Sequence, residues 1–203
     1  IDAYVEAINN IINTESYSDI SSEIAFHSIL CLINIMDIFP SSVNTIINKS
    51  NDKGSVIGAL SNKIQNLEYI DVAEKSIKAL ERISSESAIT ILNNANLEAI
   101  MTMADFFELD TQILILKMMS NICMNISRED DFNKLEIIPM LNNYFEVRGF
   151  SDKHATMFGL MCTTFQFLWD FPLKFRDPYS NFIGVLENYK KLNQFGLMDK
   201  IYG

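Results

Sequence analysis

Few residues in this chain have the types and spacing that chemistry needs. His27 and Cys31 stand four apart, a spacing that puts two metal ligands on one face of a helix. A structural zinc site takes four such ligands. The chain has only one further histidine, His154, and no CxxC pair. His154 also lies eight residues before Cys162, which raises a base-and-nucleophile pair. Cys162 sits in GLMCTTF, a helix interior, and a buried thiol there is inert because reactivity needs a stabilised thiolate. No phosphate loop, dinucleotide fingerprint, nucleophile elbow or zinc-protease motif is present. Glu108 and Asp110 read as caps and loop charges rather than an acid and a base. The expectation is no catalytic residue, no metal, no cofactor and no small-molecule ligand.

What remains are polar side chains suited to holding another protein: Asn34, Arg82 and Asn121. Asn offers both a donor and an acceptor to an extended peptide backbone. Whether these three share one surface depends on the elements that carry them.

Those elements read as helices almost throughout. Expected spans are about 2–13, 20–38, 41–48, 55–67, 71–84, 86–93, 96–106, 111–126, 134–146, 152–170 and 180–201, the last broken near Gly196. Pro40 and Pro172 each stop a long apolar helix, and Pro139 kinks one or marks its first turn. In IDVAEKSIKALERIS (70–84), Ala73, Ser76, Ile77, Leu80 and Ile83 fall on one face. Asp71 and Glu74 have the spacing of a capping box. Glu74 and Lys78 form an i,i+4 pair worth a few tenths of a kcal/mol.

The helices recur. Asp71 and Asp110 open long helices, and Ser151 and Asp152 open a third, each about 40 residues after the one before. Short helix, medium helix and long helix at such a period is the signature of armadillo or HEAT repeats. KMMSNICMNI (117–126) and ILCLINIM (29–36) carry the apolar-Asn pattern of the third helix, and QFGLMDKI (194–201) the glycine break between the first two. The expected fold is all-α: a right-handed armadillo/HEAT-like superhelix, one domain over 1–203 of four to five repeats. A repeat cannot bury its apolar face alone, so neighbours stack. Registering the long helices places Asn34, Arg82 and Asn121 at comparable points, facing a concave groove. The methionines Met101, Met103, Met118, Met119, Met124, Met157 and Met161 fill gaps between helices. Trp169 anchors the end of a helix, with a groove position as the alternative.

Bulk composition agrees. The chain has 203 residues, 48% hydrophobic and 21% charged, with net charge −10. That charge repels phosphate backbones and anionic lipid, and favours a basic peptide or basic protein patch. The densest acidic cluster, Glu129, Asp130 and Asp131, reads as a solvated loop. Cys31, Cys123 and Cys162 all lie in apolar helical runs, which is expected of reduced, buried thiols in a cytosolic or nuclear protein. The most apolar run, 113–126, is interrupted by Lys117, Ser120 and Asn121 and is too short to span a bilayer. No signal peptide is seen. The start at Ile1 suggests a piece of a longer protein.

KIQNLEYIDVAEKSIKALERIS and SAITILNNANLEAIMTMADFFELDTQILILKMMSNICMNI resemble the N-terminal armadillo-like repeats of HECT-type ubiquitin ligases. The class is the ubiquitin-fusion-degradation, thyroid-hormone-receptor-interactor and Kaktus one. The likeness is carried by Ile70 to Glu74, Ala79 to Ser84, Ile91 and Leu92, Ala104 to Phe107, and Ser120 to Cys123. FHSILCLINIMDIFPSSV (26–43) fits as well, and the likeness runs over about 20–126. The family's paired glycine is Ala95 and Asn96 here; Asn tolerates a left-handed turn better than most residues. The resemblance implies a catalytic domain and thioester cysteine elsewhere in a larger ligase. The repeats would then present a protein substrate, or ubiquitin attached to it, to that domain. The second reading is a non-enzymatic armadillo adaptor of nuclear-import or scaffold type. An import receptor carries a regular Trp and Asn ladder, and this chain has one Trp.

Overall fold

The computed structural model describes residues 2–12, 18–48 and 55–125, all within the unit Ile1–Asn125, after which the chain divides. The expected helices at 134–146, 152–170 and 180–201 lie outside the described residues. So do Pro139, Trp169, Pro172, the acidic cluster at 129–131 and the third long helix start at 152. The single domain expected over 1–203 therefore extends beyond them.

Seven α-helices follow in order: α1 Asp2–Ile12, α2 Asp19–Ile38, α3 Ser42–Asn48, α4 Val56–Ile64, α5 Ile70–Asn94, α6 Leu97–Met103 and α7 Leu109–Asn125. Short 3-10 turns, Leu67–Tyr69 and Ala104–Phe106, precede α5 and follow α6. No described residue is in a strand.

Local chemistry sets the ends. Ser18 caps α2: its Oγ accepts from the Ser21 N–H at 3.2 Å, and the Ser18 N–H donates to Ser21 Oγ at 2.8 Å. Asp19 follows, a carboxylate at the positive end of the helix. Pro40 stops α2 as expected, and the Phe39 N–H closes the last turn on the Ile35 carbonyl at 2.8 Å. Ser55 caps α4 through the Gly58 N–H at 3.2 Å.

The start of α5 differs from the expectation. Asp71 and Glu74 form no capping box, because the helix begins one residue earlier, at Ile70, with Tyr69 at the cap and no side-chain cap bond. The preceding 3-10 turn carries the chain into the helix, and Asn66 Oδ1 supports it through the Glu68 N–H at 3.2 Å. Asp71 is thereby inside the first turn, where its Oδ1 accepts from Val72 N–H at 2.9 Å. Glu74 turns instead to α7, accepting from Thr111 Oγ1 at 3.2 Å.

The helices expected at 71–84 and 86–93 are one helix with a kink at Ser87 (φ −149°, ψ 66°). A run of serines accounts for it. Ser84 and Ser85 donate to the Glu81 and Arg82 carbonyls at 2.6 and 2.8 Å, competing with the ladder. Ser87 Oγ pairs with Thr90 Oγ1 at 2.7 Å on the far side of the bend. The kink divides a long helix from the short helix that opens the next unit.

The architecture is therefore a stack of three-part units. α3, α4 and α5 up to the kink form one; the rest of α5, α6 with its turn, and α7 form the next; α1 and α2 supply the medium and long helices of the one before. The starts of α5 and α7, at Ile70 and Leu109, reproduce the recurrence read from the sequence. α5 lies between α2 and α7, and α4 packs along it. The core runs through the long helices: Ile29, Leu32, Ile33 and Met36 of α2, Leu60 and Ile64 of α4, and Ile77, Leu80 and Ile83 of α5 are all fully buried. Each contributes about 1.5–3 kcal/mol by leaving water. Met101, Met118 and Met119 are buried among them, as expected of gap-fillers.

Among the described residues, α2 is long and apolar enough to cross a membrane by length and composition alone. The sequence reading took 113–126 as the most apolar run and found it too short to span. α2 packs against α1 and α5, and Ile29, Leu32, Ile33 and Met36 are fully buried, so one face of it serves the core of this stack.

Candidate functional site

The three polar residues expected on one groove lie on the three long helices in turn. Asn121 is half-buried on α7, and its Nδ2 donates to Ser84 Oγ of α5 at 3.0 Å. Arg82, half-buried on α5, donates from Nε to Asp37 Oδ1 of α2 at 3.0 Å, and its Nη1 reaches Ser85 Oγ at 3.4 Å. Asn34 is exposed on α2, one turn before Asp37. The row is thus continuous from helix to helix, but its members differ. Arg82 and Asn121 already have protein partners on the neighbouring long helix.

The sequence reading did not single out Asp37, Glu81 and Lys117. Burial pushes the Glu81 carboxyl above the usual carboxylate range; the cations Lys117, Arg82 and Lys78 oppose this, and Asp37 adds to it. Lys117 belongs to α7 and Asp37 to α2, so charges from three successive units converge beside Glu81. The available signal was the register itself: residues beside Asn34, Arg82 and Asn121 in a stacked row must also face one another.

At the start of α2 and α5 a second cleft is lined by Asp19, Glu23, Phe26, His27, Tyr69 and Asp71. Tyr69 OH donates to Asp19 Oδ1 at 3.2 Å. Partial desolvation, then the Glu68 and Asp19 carboxylates, raise the Tyr69 phenol above its ordinary value. The Phe26 ring meets His27 edge-on at 5.4 Å between centroids, and Lys75 Nζ sits 5.6 Å above Phe26. A cation already uses this ring, in an otherwise acidic cleft.

The thiol expectation needs a correction. Cys31 is exposed, not buried. Its apolar neighbours Ile24, Ile35 and Ile38 share its face of α2, and that face opens onto a groove beside α1. Apolar sequence around a cysteine does not bury it when the face has no partner. His27 is exposed and lines the same groove. The Cys123 side chain, Cys162 and His154 lie outside the described residues. Among the described residues, no cluster of three His, Cys, Asp or Glu could hold a metal ion.

The substituted glycine pair also behaves differently from the expectation. Asn96 is not left-handed (φ −85°, ψ 81°). It caps α6 through Oδ1, which accepts from Ala99 N–H at 3.1 Å, while its own N–H donates to Ser61 Oγ at 2.9 Å. This turn does not require glycine.

Comparison with known proteins adds the family. Residues 2–93 match the model described as E3 ubiquitin-protein ligase TRIP12-like, TPR repeats. Residues 2–93 are thus similar to the N-terminal repeats of TRIP12-like ligases. The E3 ubiquitin-protein ligase UPL3 of Arabidopsis thaliana is 26% identical over 164 residues, 81% of this chain and 8% of UPL3. Ubiquitin fusion degradation protein 4 of Saccharomyces cerevisiae is 28% identical over 61% of the chain and 8% of its own length. The E3 ubiquitin-protein ligase TRIP12 of Danio rerio is 24% identical over 70% of the chain and 6% of its own length. The chain thus spans less than a tenth of the length of these relatives. No solved structure matches it.

The described stack carries three helical pieces per unit, and its long helices α5 and α7 start at Ile70 and Leu109, a period of about 40 residues. A tetratricopeptide unit has two helices in about 34 residues. The geometry of α5 to α7 is therefore that of a three-helix repeat, although the family description uses the tetratricopeptide name.

Proposed function

We propose that this chain is an armadillo-type docking segment of a HECT-type ubiquitin ligase. It holds a protein substrate, or ubiquitin already attached to one, while a catalytic domain elsewhere in the parent carries out the transfer. The observation that carries the reading is the TRIP12-like match over 2–93, joined by UPL3 and TRIP12, relatives named as E3 ubiquitin-protein ligases, along most of the chain. The stacked long helices supply a surface for it, with Asn34, Arg82 and Asn121 in one row. The net charge of −10 suits a partner with a basic patch. Such a ligase works in the cytoplasm or nucleus.

Titration of the chain with free ubiquitin, with a ubiquitin-fused protein and with a basic peptide is the test. Binding of either of the first two, weakened by about 1 kcal/mol or more in Asn34→Ala or Arg82→Ala and slower as salt rises, supports the reading. The acidic cleft beside Phe26 and Tyr69 favours one alternative, an adaptor for basic peptides. Binding of the peptide alone, lost on Asp19→Asn or Asp71→Asn, would select that adaptor instead.

A further inference from the structure

The long helices of this stack bury equivalent positions with one exception. Setting the start of α5, Ile70, on the start of α7, Leu109, aligns Val72, Ala79 and Ile83 with Thr111, Met118 and Ile122. The Asn34–Arg82 register aligns the same column with Ile24, Cys31 and Ile35 of α2. In α5 this column is covered: Val72 is 3% exposed, Ala79 and Ile83 fully buried. In α7 it is covered too: Thr111 is 7% exposed, Met118 and Ile122 fully buried.

The cover comes from the preceding long helix. Val72 lines a small cavity with Ser22 and Ala25 of α2. Thr111 hydrogen-bonds Glu74 of α5. In α2 the same column lies open. Ile24 is 48% exposed, Cys31 is exposed and Ile35 is half-exposed. Ile20 and Ile38 extend the open stripe to both ends of the helix, at 73% and 69% exposure. The groove beside it holds about 690 Å³. α1 closes one flank only.

We propose that one more repeat, N-terminal in the same polypeptide, lays its long amphipathic helix along this groove. The same column in α5 and in α7 is occupied by the long helix before it. A stacked array ends in a repeat with a polar outer face, and α2 presents isoleucines there. The matched stretch is only 6–8% of each of these relatives, so proteins of this kind have ample sequence for a further unit. A lipid surface is a poorer occupant, since Asp19 and Glu23 stand beside the stripe on a chain of net charge −10.

Cys31 lies in the groove and reports its occupancy. In the full-length parent, maleimide labelling of Cys31, resolved by mass spectrometry, runs about tenfold or more slower than in the denatured protein, because access needs local opening. Ile24→Glu or Ile20→Glu in the parent restores the fast rate. A photo-crosslinking residue at position 20 captures a peptide that lies before Ile1 of this sequence. In the 203-residue chain Cys31 labels fast at every protein concentration, and Ile24→Glu shifts its thermal melt little, because about half of that side chain already faces solvent.

Fast labelling in the native parent would overturn the proposal. So would capture of a peptide C-terminal to this segment. Protection of the isolated chain that grows with its own concentration would assign the groove to a second copy. Protection of that chain only by anionic vesicles would assign it to lipid. Either result replaces the proposed helix.

Discussion

Asn34, Arg82 and Asn121 occupy one row yet carry unequal structural duty, and mutation separates them. Asn121 makes a part-buried hydrogen bond to Ser84 across two helices. Asn121→Ala is expected to cost about 0.5–1.5 kcal/mol. Arg82 makes an ion pair with Asp37 that solvent reaches, so Arg82→Ala costs at most about 1 kcal/mol. Asn34→Ala, on an open face, stays within about 0.5 kcal/mol. Urea melts of the three variants give the order. Glu81 adds a pH signature. Its carboxyl is raised in the fold, chiefly by burial, so the folded state takes up a proton before the unfolded chain does. Stability from this group is fully present below the usual value of 4.5 and is lost as pH rises through the higher folded value. Glu81→Gln therefore raises the melting temperature at pH 7 and loses that advantage toward pH 4. An advantage that instead grows on acidification would mean that the cations around Glu81 dominate over its burial.

At the scale of elements, caps and breaks decide the repeat. Asn96 is the cap of α6 and also ties the turn to Ser61 of α4. Asn96→Ala is expected to destabilise by about 1 kcal/mol, seen as a lower urea midpoint with unchanged slope. Asn96→Gly, which restores a glycine there, loses the same cap bond, and a Gly cap costs only a few tenths of a kcal/mol. The kink at Ser87 was legible as a gap between two expected helices. Its cause, hydroxyls of Ser84 and Ser85 drawn to carbonyls of the preceding turn, needed coordinates. The capping box expected at Asp71 and Glu74 failed for a related reason. A 3-10 turn and a tertiary partner, Thr111, outweighed a local motif worth about 1 kcal/mol.

For the described unit as a whole, α5 is the keystone, covered by α2, α4 and α7. Leu80 is fully buried at its centre, and no open side lets neighbours relax into the space it fills. Leu80→Ala is expected to cost about 2–5 kcal/mol. Ile20→Ala on the open stripe of α2 is expected to cost near zero in the isolated chain. Thermal melts of the two variants compare a covered position with an uncovered one of similar chemistry. Equal losses would mean that the open stripe is packed in solution.

The sequence by itself determined the described helices, their breaks at Pro40 and near Ser87, the recurrence of α5 and α7, and the family resemblance. These rest on short-range facts: apolar spacing, proline geometry and the order of helix lengths. Tertiary structure decided which apolar faces find cover. Ile24 and Val72 both look like core positions, and each sits on a helical stripe of the same kind. Only the stack shows one of them buried against Ala25 and Ser22 and the other open to solvent. It likewise decided that Cys31 is exposed, that Glu74 serves α7 rather than its own helix start, and that Arg82 and Asn121 bond across neighbouring helices. The physical reason is common to all four. Periodicity marks a side chain that needs a partner, while burial and pairing depend on which element, distant in sequence, stands opposite.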